Sequence, residues 1–580
     1  MAAVQELRLK PALAVWGGFA VITAVLALWG AVRWAAAHPH GGLDADESRY
    51  VNIVLRDLYR WHHEGLLSWV RGFISADPQR PPAYRLMGAP FVIASDGEPF
   101  WLRFSSILGF AIAVALLGMT AWQLVRRAAG STATSAAVTV AATVAIAAIM
   151  PGLLRPIRYF YTESPLFLGT ALVMLGLFWG WGDRDRRSRW AWVVWGAGLG
   201  LGLLSKVNFV VVAGGMMAVA FVVIWQRWVA GPSLGEFVAA STLGSAIAAP
   251  WWLYNWRLAL GYTQLASANA PHNIGPPGAP ITVMRWLIVT TQFSLGLGVS
   301  ALAIAIALAL LGRRTLFLPW VFPQGRSPQF WAVAICLTGT GLLCLAALVG
   351  TNHNPRLISP AWLPLIVAIA VAFNHLGWTH RLRPAAIAIV PLTVQAIVIF
   401  EPLFHRANHQ QRPAWAQLRP INTPALRPLS YFQLHSVLIP QVQWNWQPLM
   451  ELAHSRGYRR PTIAYFMRRQ QLVPPAIKYP WRRALDTEPL VNQLVPYGSD
   501  LNAIDWETLI EEATHYDVVI ALDWPNPNPR DRAPAQLNRE FMRRFAAQPG
   551  YGAPIILPTS DRPLPRAPRL AVFIKSRPGS

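Results

Sequence analysis

The stretch Gly-Gly-Leu-Asp-Ala-Asp-Glu-Ser-Arg-Tyr occupies residues 41–50, directly after the first apolar segment of a very hydrophobic chain. Asp46 and Glu47 stand side by side in it. A carboxylate beside a bilayer is expensive to desolvate, so such a pair usually serves a function. The membrane face on which this pair lies, and the polar groups that share that face, therefore decide how the rest of the chain is interpreted.

The composition indicates an integral membrane protein. Of the 580 residues, 54% are hydrophobic and only 13% are charged, whereas about a quarter of the residues in soluble domains are charged. The segment Pro11–Trp34 is too long for a cleaved signal peptide, and we expect it to be a retained first helix. The net charge of +23 is explained by basic loops that fix membrane orientation, so it does not indicate nucleic-acid binding. Cys336 and Cys344 share one apolar segment and encode no disulfide framework.

Hydropathy predicts about eleven membrane-spanning helices. Apolar stretches long enough to cross roughly 30 Å of hydrocarbon occur near residues 11–36, 101–125, 132–154, 164–182, 190–204, 207–226, 236–254, 284–311, 329–349, 359–376 and 384–401. Two interpretations stay open for residues 190–226. They form either two short helices broken at Ser205-Lys206, or one long helix and a re-entrant piece.

Charge in the loops predicts the orientation. If the N-terminus is cytoplasmic, every dense cluster of Lys and Arg between spans falls inside, as the positive-inside rule requires. The opposite loops instead carry isolated charges of both signs, each next to a helix end. Those charges include Asp46, Glu47, Arg158, Glu163, Lys206 and Arg356. Five such loops on one face predict a shared polar cavity there.

The sequence divides into a membrane domain at residues 1–401 and a soluble extracytoplasmic α/β domain at 402–580. The first outer loop, 37–100, is too long for a simple connector. Its residues 47–71 are amphipathic at helical spacing, which predicts a helix lying in the plane of the membrane interface. In the C-terminal domain we predict a helix at Leu501–Thr514 and four strands. The strands are expected at Thr462–Phe466, Val518–Leu522, Ile555–Leu557 and Leu570–Ile574.

These loops resemble the motifs of a known family, the C-type glycosyltransferases. The similar branch contains the protein O-mannosyltransferases and the aminoarabinose transferases that modify lipid A (glycosyltransferase family 39-like). Residues 46–50 resemble its Asp-Glu-x-x-Tyr loop. The other similar stretches are Arg80-Pro-Pro-Ala-Tyr84, Trp101-Leu-Arg103-Phe-Ser-Ser, Arg158 through Thr162-Glu163-Ser-Pro-Leu166 and Gly202-Leu-Leu-Ser-Lys206. The chain departs from the family at Glu163, where Asp is commoner, and at Arg80, where His is commoner.

The resemblance implies transfer of a sugar from a polyprenyl phosphate to an acceptor hydroxyl, with inversion at the sugar carbon. Asp46 would be the general base, and Glu47 and Glu163 would position the acceptor. No metal site is predicted; if a divalent cation such as Mg or Mn is used, Asp46, Glu47 and Glu163 would share it. Expected phosphate-binding residues are Arg49, Arg158, Lys206 and Arg356. Expected substrate-positioning residues are Tyr50, Tyr84 and Arg103.

Other interpretations of these residues stay open. Asp46 and Glu47 could only cap the helix that follows them. Arg158 and Glu163 could form a structural ion pair, and Lys206 could extend to the interface. A flippase for a lipid-linked sugar and a non-catalytic scaffold on the same fold are the rival functions. A glycan, a glycolipid or a protein could be the acceptor, and the composition favours a bacterial inner membrane.

Overall fold

The computed structural model describes residues 2–37, 45–127, 131–268, 274–312, 327–380, 382–404, 444–467, 472–484, 488–495, 504–525, 532–559 and 568–576. Residues 41–44 of the acidic loop, residues 405–443, and residues 501–503 of the predicted helix Leu501–Thr514 lie outside these ranges. The chain forms two compact units. The first comprises Met1–Ala35, Phe73–Met87 and Arg103–Ile439, and the second comprises Ala36–Gly72, Gly88–Leu102 and Pro440–Ser580.

Sixteen helices precede residue 405 in the part of the chain that the structure describes. They are α1 (Ala2–Ala36), α2 (Ala45–His63), α3 (Leu66–Ser75), α4 (Ala83–Ala94), α5 (Pro99–Arg126), α6 (Ala133–Ile149), α7 (Pro151–Ile157), α8 (Glu163–Phe178), α9 (Ala191–Leu203), α10 (Phe209–Trp225), α11 (Leu234–Ala268), α12 (Pro280–Val289), α13 (Leu297–Gly312), α14 (Pro328–Val349), α15 (Trp362–His375) and α16 (Leu382–Phe404). The 190–226 region therefore forms two helices, α9 and α10, separated at residues 204–208.

The chain is a multi-pass membrane protein. Among the described residues, four helices are long and apolar enough to cross a membrane, or up to six if each of two bent helix pairs counts as one span. Several of these helices expose apolar side chains. On α16, Ile387, Val390, Val394 and Ile397 are each 57–70% exposed and follow one helical stripe, as expected for a surface that contacts lipid. The count of eleven spans stays a prediction.

The buried side-chain amide of Gln395 forms hydrogen bonds to both bent helix pairs. The α6–α7 pair bends by 62°, and the helix that begins with α12 bends by 110° at Gly296 before α13. Such breaks leave backbone groups that must find partners inside a membrane. Gln395 of α16 supplies them: its Nε2 donates to the oxygens of Ile149 (2.8 Å) and Leu295 (2.9 Å), and its Oε1 accepts from Val299 N (3.0 Å). One side chain thus stabilises both bends.

Glycines on α9 let two neighbouring helices approach closely. A Cβ added at Gly198 would lie 2.6 Å from the backbone nitrogen of Val173 on α8. A Cβ at Gly196 would lie 2.8 Å from the Ala240 oxygen on α11. Residues four apart share a helix face, so Gly202 joins Gly198 on one side. The alternation of glycines along α9 therefore fits it between α8 and α11, as small residues do between membrane helices.

The C-terminal part of the second unit is built on a five-stranded sheet. Its strands are β1 (Thr462–Met467), β2 (Leu490–Val495), β3 (Val518–Asp523), β4 (Ile555–Pro558) and β5 (Arg569–Ile574), in the order β2-β1-β3-β5-β4. β1 is parallel to β2 and β3, whereas β5 is antiparallel to β3 and β4. Four strands occupy the predicted runs. The fifth, β2, was not predicted because Asn492 and Gln493 interrupt its apolar pattern.

Helices cover both faces of this sheet. They are α17 (Gln447–Ser455), α18 (Pro474–Arg483), α19 (Trp506–Ala513) and α20 (Arg532–Phe545). Alternate residues of β1 point to opposite faces. Ile463 and Tyr465 join a core with residues of α17 and α18, while Ala464 and Phe466 join a second core with residues of α19 and α20. Asp505 caps α19, because its Oδ1 accepts from the backbone nitrogens of Glu507 and Thr508.

The amphipathic segment of the first outer loop differs from its prediction in two ways. It forms two helices, α2 and α3, with Gly65 at a φ of 83° between them. Its apolar face is buried in protein: Val51, Val54 and Leu58 are each at most 2% exposed. Asn52 of α2 donates to the backbone oxygen of Pro475 at 2.6 Å, within the second unit. The apolar face of α2 therefore packs against protein, including α18, while the position of α2 relative to the membrane stays a prediction.

Candidate active site

A buried carboxylate with two cations forms the centre of the candidate site. Glu163 Oε1 accepts from Lys206 Nζ at 2.8 Å and from Arg356 Nε at 3.0 Å. Its other oxygen, Oε2, accepts from an Arg356 terminal nitrogen at 3.3 Å. The Glu163 side chain is 0% exposed, whereas Lys206 and Arg356 are 22% and 18% exposed. A buried carboxylate needs such partners, since removing one partner of a buried pair costs about 3–5 kcal/mol.

Glu163 is placed by the start of α8. It lies in the first turn of that helix, where the helix dipole favours a negative charge. The next residue, Ser164, donates from Oγ to the backbone oxygen of Ser106 on α5 at 2.8 Å. These contacts fix the direction in which the helix begins, and so the position of the carboxylate.

Lys206 is placed by the turn between α9 and α10. The close packing at Gly198 and Gly202 brings the end of α9 to the start of α8. Two hydrogen bonds then occupy the last carbonyl groups of α9. Ala83 N donates to the Leu204 oxygen at 2.8 Å, and Trp252 Nε1 donates to the Leu203 oxygen at 3.0 Å. The turn is therefore held from two sides.

Arg356 is placed by a short loop before α15. The Asn354 side chain accepts from the Arg356 backbone nitrogen at 3.0 Å, and Ser359 Oγ donates to the Arg356 backbone oxygen at 2.8 Å. Asn208 Nδ2 donates to the backbone oxygen of Leu357. That last bond connects the Lys206 turn directly to the Arg356 loop, so the two cations are positioned together.

Two further arginines contact one tryptophan. The guanidinium carbons of Arg103 and Arg158 lie 5.3 Å and 5.1 Å from the ring centre of Trp34, at the end of α1. Arg103 is 0% exposed and Arg158 is 2% exposed. Arg158 also lies 5.1 Å from the ring of Tyr159. Cation–π contacts of this kind gain strength where water is excluded.

The aromatic residues of the 159–161 segment connect these groups. Tyr159 stacks on Tyr161 with ring centres 4.8 Å apart, and Arg356 lies 3.8 Å from the centre of the Tyr161 ring. Phe160 contacts Tyr84, with the two ring centres 5.8 Å apart. The structure thus brings six predicted site residues of the first unit to one segment: Tyr84, Arg103, Arg158, Glu163, Lys206 and Arg356.

The other four predicted residues lie in the second unit, on α2. Asp46 and Glu47 occupy its first turn, as a helix cap would. Glu47 is 0% exposed and Tyr50 is 4% exposed, and Asp46 and Arg49 are half-buried. A single pocket shared by this acidic pair and the Glu163 cluster stays a prediction.

The structure gives Glu163 two cationic partners and adds residues to the site. Among the described residues Glu163 pairs with Lys206 and Arg356, and an ion pair between Glu163 and Arg158 stays a prediction. Trp34, Tyr161 and Asn208 were missed. Trp34 and Tyr161 gave a weak signal, because aromatic residues at helix ends are common at membrane interfaces.

Metal binding gains no support from this geometry. In the ranges that the structure describes, no three His, Cys, Asp or Glu side chains form a group that could hold a metal ion.

Comparison with solved structures defines the class of the fold. Over 96% of its length the chain is similar to ArnT from Cupriavidus metallidurans bound to undecaprenyl phosphate, with 13% identity, 98% of that chain covered and a TM-score of 0.55. The apo state of the same protein gives 13% identity, the same coverages and a TM-score of 0.53. The chain therefore has the C-type glycosyltransferase fold, as its sequence motifs predicted.

A family model matches part of the chain. Residues 84–266 match the family described as dolichyl-phosphate-mannose-protein mannosyltransferase. The matched range begins at Tyr84 and includes Arg103, Arg158, Glu163 and Lys206. No curated protein matches the chain.

Proposed function

We propose that this protein is a membrane glycosyltransferase that moves a sugar from a polyprenyl phosphate to an acceptor hydroxyl. The observation that carries the proposal is the gathering of four cations at the 158–163 segment: Arg103 and Arg158 around Trp34, and Lys206 and Arg356 around Glu163. Clustered cations at the edge of a membrane domain suit a phosphate carried on a lipid. The fold supports this, since its relative ArnT was solved with undecaprenyl phosphate.

The reaction would proceed by direct displacement. The acceptor oxygen attacks the sugar C1, its proton passes to a carboxylate, and the bond from C1 to the phosphate oxygen breaks with its electron pair leaving on the phosphate. Asp46 is proposed as the base. Negative charge grows on the phosphate as the bond breaks, and preorganised cations offset it. Arg158, Arg356 and Lys206 are proposed for that role, with Arg49 as a further phosphate contact.

Residues around these groups would position the substrates. Glu47 is proposed to orient the acceptor, and Tyr50, Tyr84 and Arg103 to shape the cavity. The sugar and the acceptor are open; the acceptor would be a glycan, a glycolipid or a protein. A divalent cation at the acidic residues is a lesser proposal, because the described residues show no group of ligands for it.

We place this chemistry on the extracytoplasmic face of a bacterial inner membrane. Single cysteines test that placement in a variant lacking the two native cysteines. Glu64 and Arg155 are exposed beside α2 and the Arg158 loop, and Arg189 is exposed in a predicted inner loop. Cysteines at 64 and 155 should react with an impermeant reagent added outside intact cells, and a cysteine at 189 only after lysis. Labelling of 64 and 155 from opposite sides would contradict the proposal.

A flippase for a lipid-linked sugar is the second candidate. The bent pairs α6–α7 and α12–α13 favour it, because discontinuous helices are common in transporters. The charged candidates lie next to helix ends and loops instead, which favours a transferase.

The deciding experiment compares the cell envelope with and without the gene. Mass spectrometry should show one glycan or glycoprotein losing the mass of a sugar when the gene is deleted, and the lipid-linked sugar accumulating. Complementation with the wild-type chain should restore the product, and Asp46→Asn should not. An unchanged set of envelope glycans would contradict the proposed function.

A further inference from the structure

We propose that Glu163 sets the charge of the phosphate site so that it holds the singly charged donor and releases the doubly charged carrier left after transfer. This inference rests on the proposed function, since it concerns the same lipid phosphate. It assigns Glu163 a role in selectivity between substrate and product, where the motif suggested contact with the acceptor.

The chemistry of the reaction creates the need for such selectivity. The sugar donor is a phosphodiester and carries one negative charge. Transfer breaks its bond to the sugar and leaves a phosphate monoester, whose charge at neutral pH is about −1.5 to −2. A site made only of cations would therefore bind the spent carrier more tightly than the fresh donor, and the carrier would inhibit the enzyme.

The position of Glu163 lowers the positive charge of the phosphate site. One carboxylate bonds to two cations, so the group of Glu163, Lys206 and Arg356 has a net charge of +1 rather than +2. Glu163 is enclosed, while both cations retain some exposure. A phosphate that arrives from solvent would thus contact the cations, with the carboxylate behind them.

The effect of removing this carboxylate depends on the ligand charge. Other charges of the site act on both ligands in the wild type and in the variant, so they cancel in the comparison. A unit charge within several ångströms changes the energy of a dianion by about twice as much as that of a monoanion. Glu163→Gln should therefore tighten a monoester more than a diester, by about tenfold in the ratio of their affinities.

The experiment uses two ligands with the same tail: farnesyl phosphate and its methyl ester, a diester. Dissociation constants are measured at pH 8 for the full-length protein in detergent, for the wild type, Glu163→Gln and Glu163→Asp. The Gln variant should shift the ratio of the two constants toward the monoester by about tenfold. The Asp variant keeps the charge, so its ratio should match the wild type. Lys206→Met removes a positive charge and should shift the ratio the opposite way.

The possible results separate the two proposals. Equal ratios in the wild type, Glu163→Gln and Lys206→Met would overturn the selectivity role while leaving the proposed function intact. Equal weakening of both ligands in Glu163→Gln, restored in Glu163→Asp, would mean that Glu163 only orients the cations, and would also overturn it. A wild-type protein that binds neither ligand would contradict the proposed function and this inference together. If Glu163→Gln does not fold, the Lys206→Met ratio decides alone.

Discussion

Glu47 and Glu163 are both fully buried glutamates in the first turn of a helix, yet their surroundings differ. Glu47 lies in the first turn of the charged helix α2 and follows Asp46 directly. Glu163 begins the apolar helix α8, and its cations lie 43 and 193 residues further along the chain. The first carboxylate is conspicuous in the sequence, while the partners of the second become visible only in the folded chain. Their roles should therefore separate under mutation, with proton transfer on α2 and phosphate charge at α8.

The largest expected effect belongs to the α2 side. Asp46→Asn keeps the size of the side chain and removes its basicity, so sugar transfer should fall by about 10²–10⁴-fold with folding unchanged. The measurement is the rate of transfer by the purified protein, together with its thermal unfolding. Glu64→Gln, an exposed carboxylate just after α2, is the matched control and should retain full activity. Normal transfer by Asp46→Asn would remove Asp46 as the base.

On the α8 side, a substitution should impair use of the sugar donor. Arg158→Ala removes a buried guanidinium next to Trp34, and we expect kcat/KM for the donor to fall by about 10–100-fold, since a charged hydrogen bond is worth about 1.5–3 kcal/mol. The acceptor KM should change little. Arg155 lies three residues earlier on α7 and is exposed, so Arg155→Ala serves as the control and should match the wild type. A larger effect on the acceptor than on the donor would reassign Arg158.

The bent helices that lead into the 158–163 segment should affect stability and not the chemical step. Gln395→Leu leaves the Ile149 and Leu295 oxygens and the Val299 nitrogen without their buried partner. We expect a loss of about 3 kcal/mol in the free energy of unfolding, read from denaturant unfolding in detergent.

Thr393 is the control for that substitution. It lies on the same helix, and among the described residues its hydroxyl donates to the Ile389 backbone oxygen of that helix. Thr393→Ala should therefore change stability by much less. Equal losses for the two variants would show that Gln395 does not stabilise the bends.

The smaller of the two stability effects comes from the helix packing that brings Lys206 to Glu163. Gly198→Ala would place a methyl group against backbone atoms of α8, and overpacking should cost about 2 kcal/mol. Gly214→Ala on α10 meets nothing within 4 Å and is the control. If Gly198→Ala is as stable as Gly214→Ala, close contact between α8 and α9 is not what positions Lys206.

Sequence patterns predicted the elements that depend on local order. The break between α9 and α10 fell at the polar Ser205-Lys206 pair, since an apolar helix ends where polar residues and a turn interrupt it. Strands β1, β3, β4 and β5 were visible as short β-branched runs. The start of α2 at the acidic pair followed from the preference of carboxylates for a first helical turn.

Contacts between distant segments could not be predicted in the same way. Nothing near Glu163 in the sequence indicates that Arg356 pairs with it, because that loop arrives from another helix. Gln395 likewise looked like an isolated polar residue in an apolar span. The alternating glycines of α9 did carry a signal, since small residues at every fourth position mark a close helix contact. Such spacing could have predicted the approach of α8 and α9.

The most direct test of the central claim is transfer by the purified protein in detergent micelles, where no bilayer separates two leaflets. Supplied with a polyprenyl-phosphate sugar and a cell-envelope extract as acceptor, the wild-type chain should release one polyprenyl phosphate for each sugar attached, and Asp46→Asn should release none. A flippase moves lipids between two leaflets, and a micelle has no leaflets to move them between. The assay is repeated with donors that carry each sugar found in the organism's envelope. If none of these donors loses its sugar, the account of a glycosyltransferase is contradicted.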